Sequence, residues 1–150
     1  MHYSSNDEVY KMVKVINHVN INKILNDLAR LDGTVVSAGV MDAKNATKAA
    51  MNEYGTEKIP QRPFLRTSVN RYGKSWGSKS AKAVQSVMQG MPISQATELV
   101  GMQMKADISK TLTRGPWTPN SAATIAKKGS SRPLIDTGDL RASITYRAEK

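Results

Sequence analysis

NINKILNDLARLDGTVVSAGVM, residues 20–41, changes its hydrophobic period half-way, and that change sets the fold class. Ile21, Ile24, Leu25, Leu28 and Leu31 recur at helical spacing, with Asn20 or Asn22 as the N-cap and Gly33 as the stop. TVVSAGVM at 34–41 then reads as a short strand, β-branched at its start. Upstream, KMVKVINHV at 11–19 alternates between apolar and polar and predicts another strand, after a flexible terminus over 1–10. Downstream, AKNATKAAMNE at 43–53 predicts an Ala-rich helix ending near Gly55.

The two prolines of IPQRP, 59–63, make a rigid turn, and Pro63 suits the first position of a helix. Behind it Leu65, Val69, Tyr72, Trp76, Ala83, Val87 and Met91 outline one long helix. Arg66, Lys74 and Lys82 share its outer face, and Gly73 and Gly77 predict a kink or break. Ala96, Val100, Met104, Ile108 and Leu112 form the stripe of a second helix, 93–112. Residues 113–133 carry three prolines and little periodicity, and read as a long loop or arm. ASITYR, Ala142–Arg147, closes the chain as a strand. The whole predicts one α+β domain over 1–150. A small sheet of three or four strands packs against two to four helices, with a long extended loop before the last strand.

The chain has 150 residues, enough for a single core, but only eight of them are aromatic and eight are methionine. With no cysteine there is no disulfide scaffold, thiol chemistry or thiolate-held metal, and two histidines, His2 and His18, make a poor metal site. No apolar run approaches the roughly 20 residues of a membrane span. The opening residues lack the order of a secretory signal, so the expectation is a soluble protein made inside the cell. The net charge of +10 is concentrated in two stretches. Lys58 to Thr97 holds seven basic residues and no acid, and Ile108 to Ile135 holds five and no acid. Such blocks favour a nearby polyanion, nucleic acid being the commonest, although a solvated basic face has the same composition.

Catalytic strings do not hold up. Asp136-Thr137-Gly138, after Leu134-Ile135, resembles an aspartic protease turn, but a single copy needs a homodimer and a mostly β chain. The plainer reading is that Asp136 or Thr137 caps a short helix, GDLRAS. Gly73-Lys74-Ser75 lacks the earlier glycine of a phosphate loop, since position 68 is serine. Trp117, between Pro116 and Pro119, reads as an anchor, either onto its own core or into a neighbouring subunit. Neither a cofactor nor an enzymatic activity is expected.

Two stretches together resemble a known family. EYGTEKIPQRPFLR, 53–66, and WTPNSAATIAKKGSSRPLIDTGDLRASITY, 117–146, are similar to the tail-completion and neck proteins of siphophage-like virions, the lambda minor tail protein Z type. The matching residues are Glu53, Tyr54, Gly55, Ile59, Pro60, Arg62, Pro63 and Phe64, then Trp117, Pro119, Thr124, Ile125, Lys128, Gly129, Ser130, Pro133 to Gly138, Leu140, Ser143 and Ile144. The resemblance implies a non-enzymatic virion component that forms a homo-oligomeric ring, a hexamer or a dodecamer, at the head–tail junction. Its partners would be the head connector or adaptor, the tail terminator or tail tube, and the genomic DNA in the channel. On that reading Arg62, Arg66, Arg71, Lys74 and Lys82 contact DNA or an acidic partner. Pro60, Phe64, Trp117, Pro119, Lys128, Leu134, Asp136 and Leu140 would then lie at the subunit interface. The alternative is a free nucleic-acid-binding accessory protein with nonspecific phosphate contacts.

Overall fold

A computed structural model describes residues 20–129, 131 and 138–150, and among them the fold is α+β with helices dominant. Helix α1 (Ile21–Leu31) is capped by Asn20, whose side chain accepts from the Lys23 N–H at 3.0 Å. It turns Ile24, Leu28 and Leu31 inward and leaves Ile21 and Leu25 exposed. Strand β1 (Val35–Val40) follows, then α2 (Ala43–Tyr54), with Asp42 as N-cap and Gly55, at φ 75°, as C-cap. Helix α3 (Phe64–Met88) runs unbroken for 25 residues, so no break occurs at Gly73 or Gly77. A turn through Gly90 and Pro92 reverses the chain into α4 (Ile93–Arg114).

The segment after α4 departs from the expected loop. Ser121 accepts from the Thr124 N–H and starts a two-turn helix, α5 (Ala122–Lys128), which the left-handed Gly129 stops. The signals were ordinary ones, a serine N-cap and a glycine stop, hidden in a proline-rich segment. A single-turn helix, α6 (Asp139–Ala142), has Gly138 at its N-cap position, not Asp136 or Thr137. Strand β2 (Ile144–Glu149) begins two residues later than expected.

The described sheet has two strands, β1 antiparallel to β2, with Val36 opposite Ala148, Ala38 opposite Tyr146 and Val40 opposite Ile144. These pairs share the face that packs on α4; Val35, Ser37, Arg147 and Glu149 lie on the other. The strand expected at 11–19 lies outside the described residues, as do His2, His18, Leu134 and Asp136. Tyr146 lies flat over Gly101 of α4, where a methyl group would overlap its ring. The core consists of Ala49, Phe64, Trp76, Ile108, Leu112, Leu140 and Ile144, so four helices (α2, α3, α4 and α6) and β2 each contribute at least one side chain. No helix among the described residues is long and apolar enough to cross a membrane.

Candidate functional site

Helix α3 begins without a cap of its own. Pro63 occupies the N-cap position and has no side-chain oxygen to offer the first free amides. Glu53, at the end of α2, fills that role from twelve and thirteen residues away: Oε2 accepts from the Leu65 N–H at 2.9 Å and Oε1 from the Arg66 N–H at 3.0 Å. The carboxylate is only 3% exposed and sits at the positive end of the helix dipole, where an anion is favoured. Arg66 completes its neutralisation, donating from Nε to Oε1 at 3.0 Å and from Nη2 to the Glu53 carbonyl at 2.7 Å. Its guanidinium also lies over the Tyr54 ring, 5.4 Å from the centroid.

Arg62, one residue before Pro63, is 6% exposed. Its Nε donates to the Thr118 carbonyl at 3.0 Å, and Nη2 to Asn120 Oδ1 at 3.0 Å and the Pro119 carbonyl at 3.5 Å. Nη1 donates to Asn52 Oδ1 at 3.4 Å. Burial pushes the guanidinium below its ordinary pKa, yet an arginine starts high enough to stay charged. This fork fastens the 59–64 turn to the 117–120 loop, so the two stretches that carry the family resemblance form one junction. Arg62 therefore has no face left for DNA or an acidic neighbour, and that assignment is corrected.

The interface assignments are redistributed in the same way. Phe64 is fully buried and Leu140 nearly so, both inside the subunit's own core. Trp117 donates from Nε1 to the Leu112 carbonyl at 2.9 Å and packs over Gly115 against that core, which selects the intramolecular anchor. Pro60 and Pro119 are exposed, and Lys128 is the last residue of α5.

The remaining cations sit on α3. Arg71, Lys74 and Lys82 are exposed, and the helix contains five basic residues and no acid. Between α3 and α4 runs a groove of about 380 Å³ lined by Ser75, Ser78, Lys79, Lys82, Ser86 and Gln103 together with apolar side chains. Lys79 and Gln103 of the groove lining belong to a polar network that sequence reasoning missed. Trp76 Nε1 donates to Asp107 Oδ2 at 2.8 Å, and Gln103 Nε2 donates to the same oxygen at 3.1 Å. Gln103 thereby turns its Oε1 outward to accept from Lys79 Nζ at 3.3 Å. The available signal was Asp107 itself, a carboxylate next to Ile108 in the buried arc of α4. Among the described residues no cluster of three or more histidines or carboxylates could hold a metal. No family model, no curated protein and no solved structure matches this chain.

Proposed function

We propose that the chain is a structural, non-enzymatic neck or tail-completion protein that assembles as a ring at the head–tail junction of a siphophage-like virion. Its partners would be copies of itself, the head connector, and the tail terminator or tube. What supports this reading is the junction built around Glu53 and Arg62. The two stretches that carry the resemblance lie more than 50 positions apart, yet Arg62 of the first joins the second through the Thr118 carbonyl and Asn120 Oδ1. A fortuitous likeness in two unrelated loops gives no reason for such a joint. In the ring, Arg71, Lys74 and Lys82 face the DNA channel, and Pro60 and Pro119 lie near the neighbouring subunit.

The deciding experiment is the copy number per particle, by quantitative mass spectrometry of purified virions with heads and tails separated. A small fixed number, about six or twelve, that tracks with joined particles is the expected result. Absence from particles with abundant free protein in the lysate would replace this reading by the free nucleic-acid-binding protein, which the same basic helix favours.

A further inference from the structure

Helix α3 presents a basic face. Arg71, Lys74, Ser75, Ser78 and Lys82 fall within an arc of about 100° and span about 17 Å of helix. All five are exposed. Three other serines of α3, Ser68, Ser80 and Ser86, turn their hydroxyls back onto carbonyls four residues earlier. Ser75 and Ser78 make no such bond within the described residues, so each keeps a hydroxyl donor at the groove mouth. No carboxylate lines the groove.

Most acids of the described residues are already paired or capping within the subunit. Glu53 is buried with Arg66, Asp107 is buried with Trp76, and Asp27 and Glu149 pair with Lys23 and Arg147. Asp42 caps α2. Asp139 begins α6, and Asp32, Glu57 and Glu98 lie apart in the chain, just after α1, in the turn before α3 and on α4. A partner with its own regular negative charge fits this face best. We infer that the exposed face of α3, together with the mouth of the adjoining α3–α4 groove, binds the phosphate backbone of duplex DNA, with Arg71, Lys74 and Lys82 supplying charge and Ser75 and Ser78 donating hydrogen bonds to phosphate oxygens. Lys79 is held at the groove wall by Gln103. Duplex DNA, with one charge per about 1.7 Å of axis, meets a row of cations at this spacing at every register, so binding is independent of base sequence.

The inference rests on the ring reading only for the source of the DNA, and the isolated protein tests it separately. A labelled duplex of mixed sequence is titrated at salt concentrations from about 50 to 200 mM. Three phosphate contacts by cations predict a loss of affinity of about 40-fold over that range. R71Q/K74Q/K82Q removes most of that salt dependence and weakens binding at least tenfold at low salt. S75A/S78A, which keeps the charges and suits a helix, weakens binding several-fold and leaves the salt dependence unchanged. K44Q/K48Q on α2 removes two positive charges away from this face and leaves affinity within twofold. The inference is overturned by an equal loss in the α2 variant, by no loss in S75A/S78A, or by polyglutamate binding as tightly as the duplex. Duplex binding by a protein absent from particles would remove the ring and keep the groove.

Discussion

Arg62 and Arg66 carry the same charge four residues apart, and their surroundings give them different work. Arg66 neutralises one buried carboxylate, whereas Arg62 is spent on main-chain carbonyls and amide oxygens that bear no charge. Its fork geometry should therefore matter more than its charge. Arg62→Lys is expected to destabilise nearly as much as Arg62→Gln, by about 2–3 kcal/mol, because one ammonium cannot reach acceptors on both Asn52 and Asn120. Urea unfolding of the two variants measures this, and a fully stable Arg62→Lys would mean that charge alone suffices. Asp42 gives a pH-dependent counterpart. The Asn45 backbone N–H, at 2.9 Å, holds the Asp42 carboxyl below its ordinary pKa, and the Asn45 amide and Lys44 act in the same direction. The folded value lies below the unfolded one, so this stabilisation is complete above the usual carboxylate range and disappears as pH falls through the folded value. Asp42→Asn keeps a capping oxygen that does not titrate in this range. Its melting temperature should match the parent near neutrality and lack this part of the parent's decline on acidification.

At the scale of elements, two glycines predict opposite outcomes. Gly77 lies in the interior of α3 with open space where a side chain would stand, so Gly77→Ala should stabilise by up to about 1 kcal/mol. Gly101 is covered by the Tyr146 ring, so Gly101→Ala should destabilise by about 1–3 kcal/mol through overpacking. Thermal melts of both variants check the pair. The sequence could not separate them, because a glycine kept for close approach and one merely tolerated look alike. The helices were legible where an apolar stripe met a cap, as in Asn20 to Gly33. The capping of α3 was not, because Pro63 hides the need and Glu53 answers it from another helix. Trp76 and Asp107 were separately visible, one in a stripe and one beside it, but their pairing depends on the register of two helices. Trp76→Phe leaves Asp107 with only Gln103 as a side-chain donor, and should cost about 1–3 kcal/mol in urea unfolding.

For the whole molecule, charge was legible in amount and less so in direction. The acid-free stretch from Lys58 to Thr97 pointed to a polyanion, yet composition cannot tell an arginine turned inward from one turned outward. The fold sends Arg62 inward, commits Arg66 to Glu53, and leaves Arg71, Lys74 and Lys82 outside. Reversing those three to glutamate should leave the melting temperature within a few degrees and, on the proposed neck reading, stop head–tail joining in a complementation assay. Normal joining by the reversed protein would remove them from the channel. The sheet sets an order of events during synthesis. Val40 and Ile144, which face each other in the ladder, are 104 residues apart in the chain. At translation rates of about 5–20 residues per second, β1 leaves the ribosome about 5–20 seconds before its partner is made. The α3–α4 hairpin is finished during that wait, so the nascent chain passes through a helical stage with one strand edge open and Gly101 uncovered. A subunit cannot present its completed surface to a neighbour before β2 is translated, which delays assembly until the helices are already in place.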